Sequence, residues 1–255
     1  MFAAQRMKTI QDFLIKNKSA DITTLSNLLD VSDVTVRKDL EKLEEEGFLI
    51  KNHGGAVLVE GSIPDDSGLS IENYSEKEQI ADLANTLIED GDIIFLGPGS
   101  TCYLFSKKLK GKNNITVVTN NINAINELYS NVKEIISLGG EIANNNGMLY
   151  TTGYFASEYL KGIYVNKAIL GVNGVDFKTG FTVNDMSLCN LLKKVPTLSR
   201  QIYYLADHTK FDRIGFYQIG PIDSPDCVVS NERLSDAYKQ YFYEKDIKIL
   251  TTFKD

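Results

Sequence analysis

VSDVTVRKDLEKLEEEGFLIKNHGGA, residues 31–56, carries a helix signal followed directly by a hairpin signal. Ser32 is a favourable N-cap residue, and apolar residues then recur every three or four positions as far as Gly47, a favourable helix end. These apolar residues are Val36, Leu40 and Leu43. Two short extended runs then flank Gly54 and Gly55, a pattern that is typical of a hairpin. We therefore predict an amphipathic helix followed by two antiparallel strands.

Two further helices are predicted upstream of this stretch. The first covers residues 3–16, where apolar residues recur at helical spacing, and the second lies within SADITTLSNLLD, residues 19–30. The apolar residues of the first helix are Met7, Ile10, Phe13 and Leu14. Three helices and a hairpin make a winged helix-turn-helix. We predict a small domain of this kind over residues 1–58.

The charges of the third predicted helix are separated along its length. Arg37 and Lys38 come early, whereas Glu44, Glu45 and Glu46 come at the end, although acidic residues stabilise a helix better at its N-terminus. A recognition helix enters the major groove of DNA with its N-terminal residues nearest the bases. The predicted DNA-binding residues of this helix are Ser32, Thr35, Arg37 and Lys38. The alternative is an ordinary amphipathic helix without a ligand.

Residues 28–56 closely resemble the N-terminal signature of the DeoR family of bacterial transcriptional regulators. In that signature a Val-Ser-x-x-Thr-Ile-Arg-Arg-Asp-Leu core is followed by Leu-x-x-x-Gly and His-Gly-Gly-Ala. The matching residues are Val31, Ser32, Thr35, Arg37, Asp39, Leu40, Leu43, Gly47, His53, Gly54, Gly55 and Ala56. Val36 stands in place of Ile, and Lys38 replaces the planar fork of Arg by a point charge. The resemblance implies DNA binding, with His53 as either a DNA contact or a hinge residue at the linker.

Composition and charge restrict the class of protein. Hydrophobic residues at 43% and charged residues at 24% are typical of a globular protein. No apolar run approaches the roughly 20 residues that a membrane-spanning helix needs. The net charge is −7, but residues 1–58 contain eight Lys and Arg against nine Asp and Glu, a charge of −1, which leaves −6 for the rest. The acidity therefore lies mainly outside the predicted DNA-binding domain.

The N-terminus and the cysteines bear on the cellular compartment. Charged residues interrupt the region where a signal peptide would be apolar, so we expect a cytoplasmic protein. These are Arg6, Lys8 and Asp12. The cysteines, Cys102, Cys189 and Cys227, are odd in number and widely spaced, which argues against a disulfide framework and a zinc site. We expect no metal and no cofactor.

The remainder of the chain alternates between strand and helix patterns. Residues 59–74 are rich in Gly, Pro, Asp and Ser with little apolar periodicity, and this predicts a linker. Over residues 75–255, short apolar runs such as DIIFLG (92–97) and NITVVTN (114–120) are separated by helical patterns. Such alternation predicts an α/β domain with a mostly parallel sheet covered by helices on both faces.

DIIFLGPGSTCYLF, residues 92–105, runs a predicted strand into a glycine-rich loop. A loop of this kind before a helix can point backbone N–H groups at an anion, and Ser100 and Thr101 would add hydroxyl donors. The plainer alternative is a tight turn that needs glycine for its backbone angles. Four further apolar runs also end in small or polar residues, and the carboxyl ends of parallel strands form the ligand crevice. The pattern predicts an anion site at this edge.

Residues 77–231 resemble the C-terminal sensor domain of the DeoR family, whose fold is similar to that of sugar-phosphate isomerases such as ribose-5-phosphate isomerase. The resemblance implies a phosphorylated sugar as the ligand. The implied effector-binding residues are Gly97, Gly99, Ser100, Thr101, Thr119, Asn120, Gly139, Gly140, Asn173, Asp207 and Lys210. This chain has Gly97 and Pro98 where the family has Asp-Ser, and Ser230 and Asn231 where it has Thr-Asp. NDMSLCNLLKK, residues 184–194, has no clean counterpart in the family. The resemblance therefore implies no effector-binding residue in this stretch, which follows Thr182 closely.

Together the two resemblances imply a regulator whose DNA affinity is modulated by a phosphorylated sugar. We expect a repressor of a sugar-utilisation operon that binds double-stranded operator DNA as a homodimer or homotetramer, without a membrane partner. Two alternatives stay open. A sugar-phosphate isomerase-like enzyme could use Asp176, Asp185 or Asp207 as its base. The sequence indicates no paired acid and base at one site, so we expect no enzyme. A DNA-binding protein whose C-terminal domain only oligomerises would leave the glycine-rich edges purely structural.

Overall fold

The structure, a computed structural model, divides the chain into two compact units, residues 1–74 and 75–255. It describes residues 3–45, 48–52, 54–58, 63–64 and 69–252. None of the helices in these ranges is both long and apolar enough to cross a membrane.

The first unit contains three helices followed by a hairpin in the part of the chain that is described. The helices are α1 (Ala3–Asn17), α2 (Ile22–Leu29) and α3 (Asp33–Glu45), and the strands are β1 (Ser19–Asp21), β2 (Leu49–Asn52), β3 (Gly55–Leu58), β4 (Ile63–Pro64) and β5 (Ser70–Ile71). Strands β1, β3 and β2 form an antiparallel sheet in that order, and β4 pairs with β5. The predicted winged helix-turn-helix is confirmed.

One short strand differs from the sequence prediction of a helix within residues 19–30. Residues 19–21 form β1 instead, because Gly55 lets β3 approach it so closely that a Cβ there would lie 2.7 Å from the Cα of Asp21. Helix α2 then begins at Ile22, with the Asp21 carboxylate accepting the amide of Thr24 at 2.7 Å. This N-cap satisfies one of the free amides at the start of the helix.

The first unit has its own apolar core between the three helices and the hairpin. The predicted apolar face of α3 is buried, with Val36, Leu40 and Leu43 at most 1% exposed. The partners of this face are Ile10, Leu14, Leu25, Leu29, Phe48, Leu49 and Ala56. Each fully buried side chain of this size stabilises the fold by roughly 1.5–3 kcal/mol, so the core accounts for the position of α3.

The second unit is an α/β domain. Its helices are α4 (Tyr74–Asn85), α5 (Ser100–Lys108), α6 (Ile122–Tyr129), α7 (Gly153–Tyr159), α8 (Met186–Leu192), α9 (Val195–Leu198) and α10 (Asp236–Glu244). Its strands are β6 (Ile93–Leu96), β7 (Thr116–Thr119), β8 (Glu134–Ser137), β9 (Glu141–Asn145), β10 (Met148–Thr152), β11 (Val165–Gly171), β12 (Gly174–Asp176), β13 (Gly180–Val183), β14 (Ser199–Leu205), β15 (Tyr217–Gly220), β16 (Cys227–Ser230) and β17 (Lys248–Thr251).

The main sheet of the described second unit has the strand order β17-β16-β14-β11-β6-β7-β8, and every neighbouring pair is parallel. Strands β9 and β10 form a separate antiparallel hairpin, and β12, β13 and β15 form a small antiparallel sheet. The predicted mostly parallel α/β fold is confirmed. Central strands β6 and β11 are mostly apolar and mostly buried, as expected for a sheet covered on both faces.

The strand order reverses between β6 and β11. From β6 the chain passes to β7 and β8 on one side, and β11, β14, β16 and β17 later extend the sheet on the other side. Loops at the carboxyl ends of two such strands lead away in opposite directions and leave a crevice between them, where ligands of open α/β sheets bind. The glycine-rich loop after β6 therefore lies at this switch point.

Candidate nucleic-acid interface and ligand site

Two predicted DNA-binding residues form the N-terminus of α3. The carbonyl oxygen of Ser32 accepts the amides of Thr35 at 2.9 Å and Val36 at 3.1 Å. The hydroxyl oxygens of Ser32 and Thr35 lie 3.0 Å apart, within hydrogen-bond distance. Ser32 is exposed and Thr35 half-buried. The Ser32 hydroxyl also accepts the Thr35 amide at 3.4 Å, so Ser32 acts as the N-cap of α3.

The other two, Arg37 and Lys38, are exposed in the first half of α3. Among the described residues, no ion pair or hydrogen bond engages either side chain. Their positive charges are therefore available to an external anion. The remaining predicted residue, His53, lies outside the described residues.

The acidic residues of α3 are used inside the first unit. Asp39 is 3% exposed and receives two hydrogen bonds from the Arg6 guanidinium, at 2.7 and 3.1 Å. This bidentate pair joins α3 to α1. The sequence indicates only that Asp39 matches the family signature, because its partner lies 33 residues away and has no local signal.

The acidic end of α3 holds the hairpin. Glu44 accepts the backbone amide of Lys51 at 2.8 Å, and the Lys51 ammonium lies 3.3 Å from Glu41 and 3.5 Å from Glu44. These contacts are partly exposed, so each ion pair is worth less than about 1 kcal/mol. The order of charges in α3 thus has a structural purpose as well as the predicted functional one.

The loop after β6 depends on glycine. Gly99 has φ 105° and ψ 162°, a backbone conformation that is strained for any other residue. A Cβ built on Gly99 would meet no described atom within 4 Å, so this side of the loop is open. On the opposite side the loop packs closely on β11, because the Gly97 amide donates to the Ile169 carbonyl at 2.9 Å. A Cβ on Gly171 would lie 3.1 Å from the Pro98 carbonyl oxygen.

Helix α5 begins directly after this loop. Ser100 is half-buried and Thr101 is 7% exposed, and both lie in the first turn, whose backbone amides have no acceptors within the helix. The helix dipole favours an anion at the same place. Cys102 lies behind them, and burial raises the pKa of its thiol to about 12, so it remains uncharged. The first turn of α5 therefore carries potential donors directly after the open side of the loop.

Asn121 braces this loop, and it is not among the predicted effector-binding residues. Its Nδ2 donates to the carbonyl oxygens of Gly97 at 3.3 Å and Gly99 at 3.4 Å, while its Oδ1 accepts the Ala124 amide at 3.3 Å and caps α6. Its own amide donates to the Thr119 hydroxyl at 2.9 Å. Thr119 is fully buried. Asn121 and Thr119 therefore support the loop. The sequence alone does not show which of the adjacent residues Asn120 and Asn121 has this role.

Asn120 is 1% exposed and points elsewhere. Its Nδ2 donates to the Thr151 carbonyl at 3.0 Å, while its Oδ1 is buried without a hydrogen bond to any described residue.

Gly139 and Gly140, after β8, are needed for packing. A Cβ on Gly139 would lie 3.3 Å from the Tyr159 ring, and Gly140 has φ 140° and closely approaches β10 and α7.

Asn173 and Asp207 lie beyond the ends of β11 and β14. The Asn173 Oδ1 accepts the amide of Asn184 at 3.1 Å. Asp207 is fully buried, and its Oδ1 caps the following 3-10 turn by accepting the amide and hydroxyl of Thr209. Its Oδ2 has no hydrogen bond within the described chain and lies 3.9 Å from the Lys77 ammonium.

Two lysines accompany this carboxylate. Lys210, in the 3-10 turn after Asp207, is half-buried. Lys77, on α4, is only 4% exposed and was not among the predicted residues. A buried lysine is unusual unless it is paired, and its pairing with Asp207 joins residues 130 positions apart, which no sequence pattern could indicate. The edge of the sheet therefore carries cations as well as amides.

The three carboxylates considered as a catalytic base all hold local structure. Asp176 accepts the amides of Lys178 at 2.9 Å and Thr179 at 3.0 Å, and these hydrogen bonds lower its pKa. Asp185 accepts the Leu188 amide at 2.6 Å and caps α8.

The described residues contain no group of three or more His, Cys, Asp or Glu side chains that could hold a metal ion.

Comparison with known proteins assigns both units. Residues 6–61 match the family described as "DeoR-like helix-turn-helix domain", and residues 72–232 match "DeoR C terminal sensor domain". The chain belongs to the DeoR family. It is a DNA-binding transcriptional regulator.

Relatives of this DeoR-family chain match it from end to end. The HTH-type transcriptional repressor GlcR of Bacillus subtilis (strain 168) is 31% identical over 100% of this chain and 98% of its own. The lactose phosphotransferase system repressor of Lactococcus lactis subsp. lactis is 32% identical over 93% of this chain and 94% of its own. Among solved structures, ribose 5-phosphate isomerase A of Methanocaldococcus jannaschii is 20% identical and covers 55% of each chain with a TM-score of 0.40.

Proposed function

We propose that this DeoR-family protein represses a sugar-utilisation operon, and that a phosphorylated sugar modulates its affinity for the operator. The observation that carries the sugar-phosphate part is the loop at Gly99, open on one side, leading into α5 at the point where the strand order reverses. Repression is supported by two relatives that are named repressors, one of them of a lactose phosphotransferase system.

The phosphate group would lie on the first turn of α5. Backbone amides there, together with the Ser100 and Thr101 hydroxyls, supply donors without any need for a positive net charge. Strands β6, β11 and β14 are neighbours, so the β14 edge lies about 10 Å from the loop, which is within reach of a sugar phosphate. Asn173, Asp207 and Lys210 would thus face the sugar.

Two buried acceptors support binding of a hydroxyl-rich ligand. Asn120 Oδ1 and Asp207 Oδ2 have no hydrogen bond to a described residue, although the Lys77 ammonium lies 3.9 Å from Asp207 Oδ2. A buried acceptor left without a hydrogen bond costs about 1–3 kcal/mol. Sugar hydroxyls are donors that would satisfy both. This favours a ligand-binding edge over the alternative of a domain that only oligomerises. Thr119, Gly139 and Gly140 would position these groups rather than contact the ligand.

We propose binding without catalysis. Asp176, Asp185 and Asp207 are each committed to a turn or a helix cap, and a lowered pKa makes Asp176 a weak base. His208 is likewise engaged, because its Nδ1 lies 3.0 Å from Asn231 Nδ2. These contacts favour a sensor over an isomerase.

We further propose the arrangement of the working molecule in the cytoplasm. Residues 1–58 would bind DNA through Ser32, Thr35, Arg37, Lys38 and His53. Residues 59–74 would form a linker, and residues 75–255 would bind the effector and form the oligomer. Two or four copies would present paired recognition helices to repeated half-sites. A ligand that weakens DNA binding must itself be bound more weakly by the DNA complex, by the same factor.

Fluorescence anisotropy tests this proposal. A labelled fragment of the protein's own upstream region is titrated with protein, and then with a panel of sugar phosphates, at one fixed salt concentration. We expect specific binding that one compound reverses. Specific binding that no compound alters would contradict the sugar-phosphate proposal, and the absence of specific binding would contradict the repressor proposal.

A further inference from the structure

Val34 is an exposed apolar side chain in the first turn of α3. It is 63% exposed, whereas the other apolar residues of the helix are at most 1% exposed. A single exposed apolar residue on a protein surface is ordinary. What distinguishes this one is its position on the helix that is proposed to read DNA.

The neighbours of Val34 on the same helical face are cations. Arg37 and Lys38 follow it by three and four positions, so their side chains lie beside its isopropyl group. The acids further along the helix are engaged elsewhere, Asp39 by Arg6 and Glu44 by Lys51. The exposed start of α3 thus combines one apolar group and two positive charges with the single carboxylate of Asp33.

A face of this composition matches one feature of the major groove. Arg pairs with guanine through two hydrogen bonds, Lys contacts bases or phosphates, and the 5-methyl group of thymine is the apolar group that a base pair presents there. The side chains of Val34 and Arg37 are about 5–6 Å apart at their Cβ atoms, which spans one to two base-pair steps. An apolar side chain next to a guanine-reading Arg would therefore meet a thymine methyl.

We propose that Val34 reads a thymine by contact with its 5-methyl group, at a fixed position within two base pairs of the base read by Arg37. This rests on the proposed role of α3 as the recognition helix. It adds that each half-site requires a thymine at that position, and that the requirement is apolar and independent of the phosphate contacts.

Thymine-to-deoxyuridine replacement tests this contact, since it removes only the methyl group. The probe is the duplex fragment of the protein's own upstream region that full-length protein protects, with each thymine of a half-site replaced in turn. Wild type is compared by anisotropy with Val34→Ala and with Val57→Ala, a matched control on β3 that is 42% exposed. Thermal melting establishes that both variants fold.

We expect one replacement to weaken wild-type binding roughly fourfold, the value of one buried methyl group. Val34→Ala should bind the unmodified fragment with a similar loss and be insensitive to that replacement, whereas Val57→Ala should keep the wild-type sensitivity. The salt dependence of Val34→Ala should equal that of wild type, because no phosphate contact is removed.

Three results would overturn the inference. Wild-type binding could be unaffected by deoxyuridine at every thymine, or Val34→Ala could be weakened by the same replacement as much as wild type. Either outcome would contradict the proposed contact but leave specific DNA binding, and hence the proposed function, in place. Failure of wild type to bind any upstream fragment specifically would instead overturn both proposals together.

Discussion

The side chain of Asn121 lies 3.3 Å from the carbonyl oxygen of Gly97, so the loop after β6 is held by a residue 24 positions later in the chain. The same amide group reaches Gly99, and the same side chain caps α6. The end of β6, the start of α5 and the start of α6 are therefore fixed by one buried residue. These hydrogen bonds restrain the loop without a ligand, which would reduce the entropic cost of the proposed binding.

Replacement of Asn121 by Asp should impair the effector response while DNA binding persists. The new carboxylate can still cap α6, but it cannot donate to the two loop carbonyls, and it adds a negative charge beside the proposed phosphate site. We expect the concentration of effector for half-maximal release of DNA to rise at least about tenfold. This concentration is measured by anisotropy, with effector titrated into the complex of the protein and labelled operator DNA.

Asn121→Ser is the matched variant, because serine is also a good N-cap residue and introduces no charge. It should raise the effector concentration less than Asn121→Asp does. An Asn121→Asp protein with an unaltered response would show that the loop does not hold the anion.

Gly99→Ala should weaken effector binding through the backbone. Alanine at φ 105° and ψ 162° costs on the order of 1–3 kcal/mol, which the loop can relieve only by turning its amides away from the open side. Gly111→Ala is a control, because Gly111 also has a positive φ, 91°, with no described atom within 4 Å of a built Cβ, and follows α5. Isothermal titration should find binding lost only in Gly99→Ala, although both variants melt earlier. Equal binding in both would contradict the assignment.

Local patterns in the sequence predicted the fold class and both elements that open the proposed sites. The start of α3 could be predicted because a cap and an apolar face lie within a dozen residues. The loop after β6 could be predicted because glycines interrupt a strand pattern. Strand β1 was not predicted, since its partner Gly55 is far from it in sequence.

The supporting contacts could not be predicted, because each joins distant parts of the chain. Arg6 and Asp39 belong to different helices, and Lys77 and Asp207 are 130 positions apart in the second unit. The latter meet only in the folded domain, where α4 brings Lys77 to the residue that follows β14. Periodicity and spacing report on neighbours within a helix or strand, and not on such pairs.

Thr101→Val should leave operator affinity unchanged and abolish the effector response. Valine matches threonine in shape at this 7% exposed position, so the packing of α5 is kept while one proposed donor to the phosphate is lost. The measurement is the anisotropy titration with effector at one salt concentration. A normal response would mean that the anion binds elsewhere.

Arg37→Ala should cost at least about 1 kcal/mol of operator affinity and relax specificity at one position of each half-site, as for a base-reading arginine. Lys38→Ala should instead weaken binding to all sequences, with the slope of log affinity against log salt reduced by about 1. Lys42→Ala removes the same charge one turn later on α3, where the helix should leave the groove, and should have a smaller effect than either. Unchanged affinity in Arg37→Ala would refute α3 as the recognition helix. An effect of Lys42→Ala as large as that of Lys38→Ala would mean that the helix lies along the groove rather than entering it by its N-terminus.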